Sequence, residues 1–269
     1  MRDVTADGVE RLRRWSEEQR GVPPAVGRLG ALVRTVARGT TTVELPLTSE
    51  LLLPDGSTTA AVTALLADIG LTTSVVSSLP DLRGVTTISM SVDHHRAPPA
   101  SGHLVSTCTA DPYADAGPQH ARGLLHDDRG ALVASVSGWF LATPADQVAV
   151  DRVGLVREPL ARHLLDLLQI GAGPDVELVA RDALSNAIGS LHGGIGALAA
   201  QLVGETALEP GLATLTSSFA YLRPTPRDGA VRITGTVVRQ GRRTGLASAV
   251  ITDGDGRALV AATLVSGLR

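Results

Sequence analysis

The sequence predicts an α+β fold made of two copies of one unit, each a single apolar helix cradled by a curved antiparallel sheet. Three observations predict it. Val43-Glu44-Leu45 recurs as Val176-Glu177-Leu178, at an offset of 133 residues, and Ala131-Leu132-Val133-Ala134 recurs as Ala258-Leu259-Val260-Ala261 at an offset of 127. Each copy holds one helix-length run that is apolar on nearly every side and must therefore be buried. Each run is followed by alternating β-branched segments of the kind that form half-buried strands. With 43% hydrophobic and 19% charged residues in 269, there is ample material for a core, and disorder is not expected.

Taken in order, Asp3 to Arg20 is charged, contains Trp15 and reads as a short surface helix docked on the body. Residues 1–27 comprise this helix and a lead-in, residues 28–143 the first copy, 144–159 a linker and 160–269 the second copy. In each copy an extended segment (Thr40 to Leu47; Val176 to Ala180) leads through a turn to the helix, about 58 to 78 and about 193 to 208. Ala60 to Asp68 overlays Gly193 to Gln201 without a gap, and the second copy loses six residues after its helix. Strands are expected at Thr86 to Val92, His103 to Ala110, His120 to Leu125 and Ala131 to Leu141 in the first copy. Their counterparts are Ala213 to Tyr221, Ala230 to Arg239, Thr244 to Thr252 and Ala258 to Val265. Asp127-Asp128-Arg129-Gly130 and Asp253-Gly254-Asp255-Gly256 are hairpin turns between the last two strands of each copy.

Composition excludes several chemistries. Every one of the 24 basic residues is Arg, so there is no Schiff base, pyridoxal-phosphate anchor or P-loop lysine. One cysteine, Cys108, permits neither an internal disulfide nor a multi-cysteine metal site, and it reads as buried filling in a strand. His94 and His95 are adjacent on a strand and point to opposite faces, so no metal site is expected. A net charge of -3 and 2% aromatic residues argue against a nucleic-acid partner. The start, Met1-Arg2-Asp3-Val4, carries no apolar signal region, and no apolar run reaches the roughly 18 residues of a membrane span. A soluble cytoplasmic protein is expected.

The polar signature of the chain is Asn186 followed six residues later by His192-Gly193-Gly194, with the second apolar helix immediately behind it. Together with Phe219-Ala220-Tyr221-Leu222-Arg223-Pro224 and the Gly241-Arg242 strand turn, it resembles the hotdog-fold acyl-CoA thioesterases, and most of all their phenylacetate-pathway and 4-hydroxybenzoyl-CoA thioesterase branch. In that branch an Asn or Gln precedes the His-Gly-Gly by six residues. An acid stands nine residues after the His, often with a Thr four residues beyond the acid. Here these elements are divided between the copies. Asn186, His192 and Gly193 belong to the second, whereas Asp68 and Thr72 stand at the acid and threonine positions of the first. The second copy has Gln201 and Glu205 there, and the first has Leu53 and Thr59 at the Asn and His positions. The resemblance thus implies a double hotdog fold and hydrolysis of an acyl-CoA, with coenzyme A as part of the substrate and no separate cofactor.

Helix geometry makes one site of the divided signature. Groups nine positions apart on one helix are on the order of 13 Å apart along its axis. An acid therefore cannot serve a carbonyl held at the start of its own helix, and must come from a neighbouring helix running the other way, as in units paired about a two-fold axis. The Gly193 N–H, at a helix N-terminus, is the expected oxyanion donor, and Gly193 and Gly194 allow close approach of the substrate. Asn186 would orient the thioester or the lytic water. Asp68 would act as general base or as a nucleophile forming a mixed anhydride, with Thr72 bonded to that water or to Asp68 itself. His192 is expected to fix the turn. Arg223, Arg239, Arg242 and Arg243 are candidates for the phosphates of coenzyme A.

Each of these residues also has a plainer reading. Asp68 could be an interface or capping residue, Thr72 a threonine bonded to its own helix, and the Arg residues solvated surface. The reciprocal set, Thr59, Gln201 and Glu205, lacks its acid and is expected to be catalytically silent, with Glu205 in a helix-surface salt bridge. The alternative to a thioesterase is a non-catalytic acyl-CoA-binding or scaffold protein. A hotdog hydratase is disfavoured because no Asp-x-Asn-Pro-x-His signature is present. Further association of such chains into a homo-oligomer is expected through the sheet edges and faces left open.

Overall fold

The computed structural model describes residues 7–143 and 161–268, apart from 20, 82, 115, 116, 227 and 228, so the expected linker at 144–159 lies outside the described residues. Two helices open the described chain, α1 (Gly8–Glu18) and α2 (Pro24–Arg28). The first half continues with β1 (Leu32–Ala37), β2 (Thr40–Pro46), α3 (Ala61–Ser78), β3 (Gly84–His94), β4 (His103–Ala110), β5 (Gln119–Asp127) and β6 (Leu132–Thr143). The second comprises α4 (Leu164–Leu168), β7 (Asp175–Ala180), α5 (Gly193–Ala207), β8 (Ala213–Tyr221), β9 (Gly229–Gln240), β10 (Thr244–Thr252) and β11 (Ala258–Gly267).

All pairings are antiparallel, and the eleven strands form one sheet in the order β1-β2-β4-β5-β6-β3-β8-β11-β10-β9-β7. The order β2-β4-β5-β6-β3 is mirrored by β7-β9-β10-β11-β8, and the halves meet where β3 pairs with β8. At that seam Ser91 faces Ser218, Met90 faces Phe219 and Val92 faces Ser217. At the 127-residue offset Ser91 corresponds to Ser218, so equivalent residues meet, as at a two-fold axis. Around this axis α3 and α5 pack antiparallel, each against the inner face of its own strands.

Burial explains why α3 is so apolar: all but one of its 18 residues are buried, wrapped by β2 to β6. By length and hydropathy alone it could cross a membrane, but 94% of it is enclosed by the protein itself. Gly70 and Gly123 let α3 and β5 close on Cys108 of β4, because a Cβ on either would meet its Sγ at 3.0 and 2.4 Å. Burial pushes the Cys108 thiol up to about 12. The two hairpin turns are built alike: Asp127 and Asp253 each accept two backbone N–H groups, and Gly130 and Gly256 take positive φ of 77° and 78°.

Three elements differ from the sequence expectation. β1 pairs with β2 through the turn at Gly39, whereas the corresponding stretch of the second half is the helix α4. α2 braces the second half, since the Ala25 N–H donates to the Ser185 carbonyl just before Asn186. α1 buries Leu12 and Trp15 against α3 and β1, so its apolar face forms part of the core; residues 3–6 and 20 of the expected helix lie outside the described residues.

Candidate active site

The N-terminus of α5 sits against the middle of α3. His192 is the N-cap of α5, and its Nδ1 accepts the Gly194 N–H at 3.0 Å. One residue on, Gly193 lies so near Asp68 of α3 that a Cβ would be 3.1 Å from both carboxylate oxygens. Gly194 lies nearer still to the α3 backbone, where a Cβ would be 2.9 Å from the Leu65 carbonyl oxygen. The two glycines are therefore what allows the helices to meet here. As the first residue of the helix, Gly193 has an N–H that the helical ladder leaves without an acceptor.

Asp68 is buried, with 2% exposure. The Thr87 hydroxyl of β3 donates to its Oδ1 at 2.7 Å, and His192 Nδ1 lies 3.4 Å from its Oδ2. Burial lowers the pKa of His192, against the opposing pull of the Asp68 charge. A neutral ring accepting the Gly194 N–H at Nδ1 carries its proton on Nε2. The Tyr221 hydroxyl of β8 donates to the Gly193 carbonyl at 3.2 Å, and burial with the Asp68 charge raises its pKa well above its ordinary value. Asn186 uses its Oδ1 to accept from the Ile188 and Ser190 N–H groups, each at 3.0 Å, so its side-chain amide N–H groups are what it retains to offer a ligand.

Asp68, Thr72, Asn186, His192 and Gly193 all line one cavity of about 230 Å³, with Thr87 and Tyr221 among its other walls. The sequence had not singled out Thr87 or Tyr221 as site residues. A signal for Thr87 was present: Thr214 stands at the same place in the second copy, and it also donates to an acid. Thr72 lines the cavity but makes no hydrogen bond to Asp68 among the described residues; Thr87 holds that place.

Four expected substrate contacts lie elsewhere or have other work. The N–H of Gly194 is occupied by His192, and the residue packs on α3 rather than lining the cavity. Arg239, Arg242 and Arg243 belong to the β9–β10 hairpin, exposed at the end of the sheet where Thr244 pairs with Gly267. The cavity touches β11 at Val260, seven residues away along the strand, or about 23 Å. Arg223 does line the cavity, where it is exposed and donates to the Ala258 carbonyl at 2.7 Å.

The reciprocal end of the helix pair is built differently. Thr59, just ahead of α3, accepts the Ala61 N–H at 3.1 Å and donates to Glu205 Oε2 at 2.5 Å. Gln201 and Thr214 each donate to Glu205 Oε1 at 2.8 Å. Ser217 donates to Gln201 Oε1 at 3.0 Å, and His94 bridges Ser217 and Thr63 at 2.9 and 3.0 Å. The expected salt bridge of Glu205 is replaced by hydroxyl and amide donors. Burial raises its pKa, against the opposing effect of those three hydrogen bonds.

An inward acid facing a helix N-terminus, inside a sheet wrapped around two antiparallel helices, defines a double hotdog protein. The segment that carries Asn186, His192, Gly193 and Tyr221, residues 182–267, matches the family model described as the acyl-CoA thioesterase N-terminal domain. Similar solved structures cover nearly the whole chain. The tesB protein of Mycobacterium avium subspecies paratuberculosis is 10% identical with a TM-score of 0.59, covering 91% of this chain and 98% of its own. The 12:0-ACP thioesterase from Umbellularia californica is 11% identical with a TM-score of 0.59, covering 86% and 94%. Acyl-CoA thioesterase II TesB2 from Mycobacterium marinum is 13% identical with a TM-score of 0.52, covering 85% and 91%. At these identities the likeness is one of fold. No curated protein matches the sequence.

Proposed function

We propose that this protein is an acyl-CoA thioesterase that hydrolyses its substrate at one composite site between the two halves. The observation that carries the reading is that Asp68 of the first half and Gly193 at the start of α5 in the second lie side by side on one shared cavity. The thioester carbonyl oxygen points at the Gly193 N–H, where the positive end of the α5 dipole stabilises the charge that attack creates. Asp68 takes a proton from water as the water oxygen bonds to the carbonyl carbon. The tetrahedral intermediate then collapses, the carbon–sulfur bond breaks, and the proton passes to the departing coenzyme A thiolate. Thr87 holds one carboxylate oxygen, leaving the other to act. Tyr221 fixes the Gly193 peptide from its carbonyl side, and Asn186 offers its amide to the carbonyl or the water.

The pattern of Asn186, His192-Gly193-Gly194, Asp68 and Thr72 supports placement near the phenylacetate-pathway and 4-hydroxybenzoyl-CoA branch. Coenzyme A enters with the substrate, its phosphates on the side of Arg223, and no other cofactor takes part. The setting is the cytoplasm. Pairing of chains through the outer sheet face, where Trp139 and Leu141 are about half exposed, completes the reading and is checked by sedimentation equilibrium.

The deciding assay follows coenzyme A release from a panel of acyl-CoAs by the wild type, Asp68→Asn and Gln201→Ala. The first substitution removes nearly all release and the second leaves it nearly unchanged; equal rates for all three would overturn the composite site. A wild type that binds acyl-CoA without releasing coenzyme A would establish the non-catalytic alternative.

A further inference from the structure

Behind the catalytic cavity lies a second, smaller chamber of about 50 Å³ that the reaction does not account for. It shares Thr72, Val85, Asn186, Ile188 and His192 with the first cavity, so the two meet across a common wall. It follows α3 past Ile69, Thr72 and Thr73 to Val76, about 12 Å along the helix axis from Asp68. Its far side is roofed by α1, which contributes Arg11 and Trp15.

Arg11 brings a positive charge, and Trp15 an N–H donor, to a chamber whose other lining is a mixture of aliphatic side chains with Thr72, Thr73, Asn186 and His192. Arg11 is drawn into the fold, and desolvation pulls its pKa down to about 10. It donates to the Arg83 carbonyl at 2.7 Å and lies over the Trp15 ring, 5.3 Å from its centre, but no carboxylate faces it among the described residues. Its neighbours Arg14 and Arg83 are both paired with acids, whereas Arg11 has none among the described residues. Trp15 is 6% exposed, and its indole Nε1–H finds no acceptor among the described residues. A desolvated guanidinium without an anion and a buried N–H without an acceptor are both costly as they stand. One ligand oxygen-bearing group at the chamber's end would satisfy them together.

We propose that the acyl group runs from Asp68 into this chamber and ends in a carboxylate bound by Arg11, so that the substrates are mono-coenzyme A thioesters of dicarboxylic acids. This rests on the thioesterase reading above and adds the identity of the acyl end. The substrate then spans the cavity with its coenzyme A toward Arg223 and its free carboxylate under α1. Arg11 is a specificity residue, remote from the bond that breaks.

The test compares kcat/KM for thioesters matched in carbon number: succinyl-, glutaryl-, adipoyl- and suberoyl-CoA against butyryl-, pentanoyl-, hexanoyl- and octanoyl-CoA. At the best length the wild type favours the carboxylate-bearing member by about ten- to a hundredfold, the range of a charge-assisted hydrogen bond. Arg11→Met abolishes that preference while retaining hydrolysis of the unsubstituted chain. Arg11→Gln keeps a donor for the Arg83 carbonyl and serves if the Met variant does not fold. Equal kcat/KM within every pair, a preference that survives loss of Arg11, or a stronger preference for 6-hydroxyhexanoyl-CoA would overturn the proposal. A wild type that hydrolyses none of the panel overturns the present proposal, and one that also leaves phenylacetyl- and 4-hydroxybenzoyl-CoA intact overturns the thioesterase reading as well. Calorimetric affinities for adipoyl- and hexanoyl-CoA then decide the chamber's role: tighter adipoyl-CoA binding that Arg11→Met removes upholds it, and equal affinities overturn it.

Discussion

The two ends of the α3–α5 helix pair start from the same geometry and reach opposite solutions. At one end a helix N-terminus faces Asp68 across an open cavity; at the other, Thr59 of the α3 N-terminus closes directly onto Glu205. Equivalent threonines serve both ends, Thr87 donating to Asp68 and Thr214 to Glu205. What separates them is the residue at the helix start. His192 caps α5 at Gly194 while Gly193 lines the cavity, whereas Thr59 bonds both its own helix and the acid opposite. Moving the acid by one helical turn, from the position of Asp68 to that of Glu205, goes with a site filled by side chains. A two-fold frame thus holds one open cavity and one closed brace.

The sharpest way to break the contrast is to neutralise each acid in turn. Asp68→Asn is expected to lower kcat by about 10²–10⁴, the usual contribution of a positioned general base. Glu205→Gln leaves kcat near the wild-type value in the same coenzyme A release assay; a comparable loss in both would show that the ends act together. Isotope labelling refines the first result. In a single turnover in heavy-oxygen water, a general base delivers the label only to the product acid, so label found on Asp68 would establish a mixed anhydride opened by water at the aspartyl carbon.

The glycines give the next largest effects, and of two kinds. A methyl at Gly193 would stand 3.1 Å from both Asp68 oxygens, so Gly193→Ala is expected to displace the carboxylate and cost about tenfold to a hundredfold in kcat. At Gly194 the methyl meets a backbone oxygen of α3 at 2.9 Å, which cannot swing aside. Gly194→Ala therefore acts on the fold, destabilising it by about 1–3 kcal/mol as overpacking does, measured by urea unfolding. If both variants lost activity with unchanged stability, Gly194 would belong to the site after all. Thr87→Val, which removes the donor to Asp68, should reduce kcat, while Thr214→Val should not.

Much of this was legible in the sequence because burial leaves a clear trace there. An aspartate inside the apolar run from Ala61 to Ser78 had to be satisfied or functional, and the repeat set it in register with Gln201 rather than with a partner acid. Element order followed from periodicity, since nearly every strand alternates buried and exposed positions. Hidden were the features that depend on the partner surface. β1 carries Arg34 amid short apolar stretches, and only its pairing with β2, aided by the Arg34–Glu44 ion pair, makes it a strand. Tyr221 and His94 occupy equivalent places at the 127-residue offset, yet one braces Gly193 and the other fills the closed end. Arg239, Arg242 and Arg243 suit phosphate by their chemistry, but side-chain chemistry does not reveal which end of a strand borders the cavity.

The smallest effect is on stability, and it carries opposite signs at the two ends. Glu205 has its pKa raised above the ordinary 4.5, chiefly by burial, so the folded state holds its proton more tightly than the unfolded chain. Its contribution is therefore full below about pH 4.5 and is lost as pH rises through the folded-state value. His192 has its pKa lowered from 6.5 by burial, so the unfolded chain is the tighter proton binder there. Its contribution is present above pH 6.5 and is lost as pH falls through the folded-state value. Glu205→Gln removes the first dependence and leaves the second. The difference in Tm between wild type and Glu205→Gln is expected to shift in favour of the variant as pH rises from 4.5, because the amide keeps hydrogen-bonding capacity without a charge to bury. A difference that stays constant across that range would mean that Glu205 titrates alike in the folded and unfolded states, and that the closed end is held by its hydroxyls alone.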